Sequence, residues 1–283
     1  MTQPLPHPGL PVGSADYYAV RFAPRVTRSP VGAVLAWGRT LEAITTETSD
    51  AGVARLKLQW WGEEVRRAAR GEARHPLAVE LQPGIGRSAQ SLGLCLELVQ
   101  SLDQRMRVPG SEDLDELVER GRRSRGALLA LATSEAGGGA AEARTARSLG
   151  AAVDLIRTIR DLGLELRRGR CPLPRRLLAT HGLAAVPALD QATRAAMPAA
   201  LREIGERARA LHAATLGAIA VGPLPALAAP LALAEIHLEL LAAIEEAGFR
   251  VTDQQIRLTP IRKLWKGLRG ARRARRGIRR RTR

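Results

Sequence analysis

Residues 150–174 read GAAVDLIRTIRDLGLELRRGRCPLP. Wound as a helix at about 100° per residue, this run puts Asp154, Arg157, Asp161 and Glu165 at i, i+3, i+7 and i+11, one polar stripe. Ala152, Leu155, Ile156, Ile159, Leu162 and Leu166 fall on the opposite, apolar stripe. Gly169 and the closing Cys171-Pro172-Leu173-Pro174 stop the helix. An acidic helix face that ends in Arg167-Arg168-Gly169-Arg170 can hold a metal bridged to a diphosphate. It can equally be a solvated face laced with ion pairs. The stretch by itself leaves both readings open.

Working outward, the composition sets the class. Aromatic residues make up 3% of a chain whose hydrophobic content is 45%, which is poor material for strands. Alanine, leucine and arginine dominate instead, and all three are strong helix formers. No stretch alternates with period two, so a soluble all-α protein is expected. The 283 residues suffice for one generous core. The net charge of +16 is unevenly spread. Twelve Lys and Arg fall between Arg262 and Arg283 with no Asp or Glu, which leaves the rest at +4. Basic charge favours anionic partners: phosphate groups, acidic lipid or nucleic acid.

Cys95 and Cys171 are far apart, in no metal-ligand spacing, and read as reduced thiols of a cytoplasmic protein. The opening MTQPLPHPGLPVG lacks the apolar run of an export signal. The uncharged run between Arg209 and Glu235 is interrupted by Pro223, Pro225 and Pro230, so it reads as two buried helix ends rather than a membrane span.

Taken in order, residues 1–13 read as a loose arm. Ala15–Ala23 is an aromatic cluster, and helices follow at 31–48 and 53–70, with Ser49 or Asp50 as the cap between them. In the second of these, Leu56, Trp60 and Val65 are expected to face the core, with Glu63, Glu64, Arg66 and Arg67 outward. A break is expected at Gln82-Pro83-Gly84. Further helices are expected at 87–107, 112–132, 142–168, 188–218 and 226–247. Pro260 suits the first turn of a terminal helix. Beyond Gly270, like-charge repulsion predicts a disordered basic tail, giving an arm at 1–13, a helical domain at 14–268 and a tail at 269–283.

Four stretches, in this order, resemble the squalene and phytoene synthases, a branch of the all-helical isoprenoid synthases. They are DYYAVRFAP with VLAWGRTLEAITTE, LKLQWWGEE, the Ile159-Arg160-Asp161 to Pro174 run, and AGF through LTPIRKLW. Together they cover roughly residues 14–268. The resemblance implies a single helical bundle around a central apolar cavity. Two acidic motifs on facing helices would bind magnesium, which grips the diphosphate of a farnesyl or geranylgeranyl substrate while an allylic cation forms and couples head to head. Metal is needed there because negative charge grows on the leaving diphosphate. Carried onto this chain, Asp161 and Glu165 would hold Mg, with Glu42 from the facing helix. Arg157, Arg167, Arg168, Arg170 and Tyr18 would contact the substrate.

The chain departs from that pattern. Where active members place several aspartates, it has LEAITTE, so Ala43 and Thr46 offer no carboxylate. Arg157, one turn before Asp161, would compete with magnesium for that carboxylate or bind phosphate itself. LQWWGEE and LTPIRKLW look more like the family's non-catalytic members, among them a mitochondrial factor needed for assembly of respiratory complex I. The expected function is therefore binding of a prenyl diphosphate or related isoprenoid lipid with eroded catalytic motifs. The alternative is an active head-to-head prenyltransferase.

Other features weigh less. His181, His212 and His237 are isolated, with no zinc spacing. His237 stands where a family member might place a cavity-facing aromatic. Trp60 and Trp61 read as packing, one in the core and one at a helix seam. Ile261, Leu264, Trp265 and Leu268 form an apolar stripe among basic residues, which suits an anionic membrane surface, here the cytoplasmic face of the inner membrane. Nucleic acid is an unlikely partner, because no binding motif precedes the tail.

Overall fold

A computed structural model describes residues 7–277 apart from 49, 186, 187, 189, 220 and 221. Twelve α-helices and no strand occur among these residues. In chain order they are α1 (Ala15–Phe22), α2 (Arg28–Glu47), α3 (Ala51–Ala69), α4 (Pro76–Ile85), α5 (Ala89–Arg107) and α6 (Leu114–Gly121). There follow α7 (Ala127–Glu135), α8 (Ala140–Arg167), α9 (Arg175–Thr180), α10 (Gln191–Ala218), α11 (Ala228–Glu246) and α12 (Pro260–Arg276). Short polar side chains start many of them: Ser14, Asp50, Asp113, Asp190 and Thr259 each accept a first-turn amide. Of the two candidate caps for α3, Asp50 does the work; Ser49 lies outside the described residues.

The apolar stripe of the 150–166 run is buried in full, and the helix stops at Arg167 with Gly169 in a left-handed conformation. Its N-terminal half joins a core made by Leu35, Trp37 and Leu41 of α2, Leu58 and Trp61 of α3, and Leu128–Leu131 of α7. Its C-terminal half joins a second core with Leu201 and Ile204 of α10 and Leu241 and Ile244 of α11. α11 crosses both. The Pro225–Glu246 segment is apolar and long enough to cross a membrane, but it is mostly buried inside the bundle.

The expected helix at 112–132 is divided by a π turn at Arg122–Gly126. The turn lies where α8 passes closest: a Cβ on Gly150 would stand 2.5 Å from Gly126 Cα and 2.6 Å from the Arg125 carbonyl oxygen. Two glycines let the backbones touch, and the extra residue of the π turn aims Arg125 into the bundle, where it is 2% exposed.

Several expectations are corrected. α4 continues through Pro83 rather than breaking at 82–84, and ends two residues later at Ile85. The arm is held from residue 7 onward: Leu10 is buried and His7 Nε2 lies 2.8 Å from Glu80 Oε2. The basic segment is helical through Arg276, because Gly267, Gly270, Ala271 and Ala274 lie against the bundle; a Cβ on Gly270 would overlap the Leu231 carbonyl of α11. Residues 278–283 of the expected tail lie outside the described residues.

The core face of α3 is also turned. Ala54, Leu58, Trp61, Val65 and Ala68 face inward, while Leu56 and Trp60 are 66% and 44% exposed. Of the expected core positions only Val65 is buried, and of the tryptophan pair only Trp61 is. Glu64, expected outward, is wholly buried. Its carboxylate accepts the Arg74 and His75 amides at 2.5 and 2.7 Å and Arg67 Nε at 2.9 Å. Burial alone would raise this carboxyl, but those donors outweigh it and hold it below the usual range. Glu64 thus pins the α3–α4 connection. Glu64→Ala strands two amides and a guanidinium, and should lower the urea unfolding free energy by about 3 kcal/mol. A loss below about 1 kcal/mol would show that the connection does not depend on it.

Candidate active site

One cavity of about 280 Å³ opens between α2, α5, α6 and α8, with Arg170 and Pro172 at its edge. Glu42 of α2 and Asp161 and Glu165 of α8 all line it, so the two expected acidic positions do share a cavity. Its walls are charged as well as apolar. Glu42, Glu47, Asp154, Asp161 and Glu165 are met there by Arg39, Arg105, Arg120, Arg157, Arg160 and Arg170.

Three of these carboxylates, Glu42, Asp161 and Glu165, are already engaged by arginine. Glu42 Oε1 accepts Arg125 Nη2 at 2.6 Å and Glu42 Oε2 accepts Arg157 Nη2 at 2.6 Å. Asp161 receives Arg160 through two parallel bonds, 2.7 and 2.6 Å. Glu165 receives Arg170 in the same manner, 2.8 and 3.0 Å, with Arg168 at 3.6 Å. Each is a fork-on-carboxylate or two-guanidinium arrangement, the strongest class of side-chain hydrogen bond. The expectation that Arg157 would compete for Asp161 is corrected. Arg157 reaches across to Glu42, and the neighbour Arg160 takes Asp161.

The remaining predicted residues separate. Arg170 lines the cavity. Arg167 donates to the Thr252 carbonyl at 3.1 Å, and Arg168 donates to the Thr46 carbonyl; neither guanidinium is part of the cavity wall. Tyr18 packs edge-on against Tyr17 and stacks on Phe22 in the second core, away from the wall. His237 is buried too, its Nδ1 2.8 Å from the Leu233 carbonyl. Burial, with Arg157 nearby, pushes it down to about 3, so it stays neutral.

Sequence reasoning missed Arg125 and Asp16. Arg125 is buried with Nε and Nη1 making no hydrogen bond among the described residues, and Nη1 forms a 3.6 Å ion pair with Asp16 Oδ1. Burial raises Asp16 to about 6, with Arg157 opposing. The only trace in the sequence is the glycine-bracketed Gly121-Arg122-Arg123-Ser124-Arg125-Gly126, which a helical wheel treats as solvent-facing. Arg39 and Arg105 were missed as well. They line the cavity and make no ion pair among the described residues.

Magnesium needs several oxygen lone pairs at about 2.1 Å in near-octahedral array. Glu42, Asp161 and Glu165 have both oxygens bound to guanidinium groups, and Ala43 and Thr46 add no carboxylate. Among the described residues no three His, Cys, Asp or Glu stand together as a metal site. With three of the five cavity carboxylates taken by arginine, no assembled magnesium site is present among the described residues.

A model of the squalene/phytoene synthase family matches residues 11–263. The chain belongs to that family. It is 25% identical over 266 residues to a presqualene diphosphate synthase of Rhodopseudomonas palustris, covering 90% of this chain and 92% of that one. It is 27% identical over 254 residues to a phytoene synthase of Mycobacterium bovis, covering 87% and 82%. Among solved structures, a dehydrosqualene synthase in complex with ligand superposes with a TM-score of 0.73 at 17% identity over 89% of each chain. A squalene synthase of Alicyclobacillus acidocaldarius gives 0.64 at 21% identity, over 82% of this chain and 88% of that one. The all-α isoprenoid-synthase fold follows from these superpositions.

Two outcomes test the geometry. In a metal site, empty carboxylates repel one another and removing one stabilises the metal-free protein. Here Glu42→Ala leaves Arg125 as a buried charge and should cost about 3 kcal/mol by urea unfolding. Asp161→Ala, breaking a part-exposed pair, should cost about 1 kcal/mol or less. Stabilisation by Glu42→Ala would contradict the Arg125–Glu42–Arg157 clamp.

Asp16 gives a pH signature. The unfolded state releases this proton near 3.8 and the folded state near 6, so between those values the folded state binds more protons. Stability therefore falls as pH rises through that window, by about 3 kcal/mol in total. Asp16→Asn should remove this slope, and its advantage in melting temperature over the natural protein should grow from about pH 4 to about pH 7. A pH-independent difference would refute the assignment.

Proposed function

We propose that the protein binds a prenyl diphosphate or a related isoprenoid lipid in this cavity without carrying out head-to-head coupling. The observation that carries the reading is the engagement of both oxygens of Glu42, Asp161 and Glu165 by arginine. A cavity arranged this way retains a place for an anionic headgroup: Arg39 and Arg105 make no ion pair among the described residues, and either can fork onto a phosphate. Meanwhile the groups that would gather divalent metal against a leaving diphosphate are neutralised. The role is then that of a lipid-binding or assembly protein, in the cytoplasm at the inner membrane face, where such ligands dissolve.

The names of the relatives support a second reading, an active synthase that condenses two farnesyl or geranylgeranyl diphosphates. One experiment separates the two. The protein is incubated with farnesyl diphosphate, magnesium and NADPH, and both released diphosphate and extracted lipids are measured. The binding reading expects no product, with thermal protection by farnesyl diphosphate in the presence of a chelator. At a ligand concentration about a hundredfold above Kd, protection amounts to about 2.7 kcal/mol, or about 5 °C or more. Product formation that Asp161→Asn abolishes would establish the enzyme instead.

A further inference from the structure

α12 has two faces with different duties. Gly267, Gly270, Ala271 and Ala274 lie at i, i+3, i+4 and i+7 and are buried. This small-residue face packs against α11 and settles which side of the helix is internal. On the same helical wheel Ile261, Trp265, Arg269, Arg272 and Arg276 fall within about 80° of one another, centred opposite the buried face. All five are exposed; Ile261 and Trp265 are 64% and 62% accessible. Leu264 and Leu268, which the sequence pattern grouped with them, are less exposed, and Leu264 packs against the second core.

The charge of this face is unneutralised. Arg262 and Lys266, at its flank, share Glu239, and Arg273 pairs with Glu235. Arg269, Arg272 and Arg276 make no ion pair among the described residues, and neither do Arg21, Arg25 or Arg28 near the end of α1. Arg275 links the two groups by donating to the Phe22 carbonyl. Burial, and then the crowding of Arg25, Arg21 and Arg275, lower the Arg28 guanidinium. In the same region Val26 is 89% exposed. Arg28 donates to the Ala23 carbonyl, and most other arginines among the described residues are hydrogen-bonded to a carboxylate or carbonyl. Here positive charge accumulates beside exposed Trp, Ile and Val side chains.

We propose that the outer face of α12, with the Arg21–Arg28 segment beside it, docks the protein on an anionic lipid bilayer. The arginines contact headgroup phosphates, and Trp265 and Ile261 enter the boundary between headgroups and acyl chains. The pairing of charge with aliphatic and indole side chains selects this partner. A polyanion such as RNA satisfies the arginines and gains little from burying isoleucine and valine, whereas a bilayer interface rewards both. The inference is independent of the cavity and of whether the protein is catalytic.

Flotation of the full chain with vesicles tests it. Vesicles of phosphatidylcholine alone are compared with an equal mixture of phosphatidylcholine and phosphatidylglycerol. Binding to the mixed vesicles only, weakening as salt is raised, is expected. Arg269→Gln/Arg272→Gln/Arg276→Gln should weaken it about a hundredfold, since each arginine near the surface contributes about fivefold. Ile261→Ser/Trp265→Ser should weaken it about tenfold. Both variants alter exposed positions and should melt within about 2 °C of the natural protein. Equal binding to both vesicle types, or none to either, would overturn the proposal. So would retention on polyuridylic acid that survives the Ile261/Trp265 change while vesicle binding is unaffected by it.

Discussion

Glu42 is held from two sides by guanidinium groups, and the arrangement of the site depends on that clamp. Arg125 comes from the π turn between α6 and α7, and Arg157 comes from the middle of α8. One carboxylate therefore ties three elements that are distant in sequence. Arg125 could not be buried without it, because an unpaired guanidinium in the interior costs several kcal/mol. The close approach of Gly126 to Gly150 supplies the geometry, and Glu42 supplies the charge that makes the geometry tolerable.

The fold was legible where burial follows a simple period. The apolar stripe of α8 is continuous over four turns, so the helix and its inward face could be read directly. α3 could not be read this way. Its amphipathic pattern is compatible with two rotations, and the choice is made by Glu64 accepting amides ten and eleven residues away. A charged residue in the core, satisfied by backbone, leaves no periodic mark. The same limitation hid Arg125. It also misplaced Arg157, expected at Asp161: Arg157 projects across the cavity to Glu42, and Arg160 takes Asp161.

The end of the chain shows a competition between two readings of one segment. Counting charge predicts repulsion and disorder. Counting small residues at i, i+3, i+4 and i+7 predicts a helix that fits closely on a neighbour, and this pattern prevails through Arg276. Repulsion among exposed arginines is screened within about 8 Å at physiological salt, whereas close backbone packing on α11 is not. The charge is not removed by folding. It is displayed on the side that packing leaves free.

Ancestry and activity thus rest on different features of the same helix. The apolar side of α8 and its length are demanded by the bundle, which buries them in its two cores. The polar side is under no such demand. A metal-dependent site needs carboxylates that are close together and uncompensated, an arrangement that strains the empty protein. Here Arg125, Arg157, Arg160 and Arg170 pair with Glu42, Asp161 and Glu165 in place. On the proposed reading, the guanidinium groups that hold these three carboxylates also occupy the oxygens that a divalent cation would need.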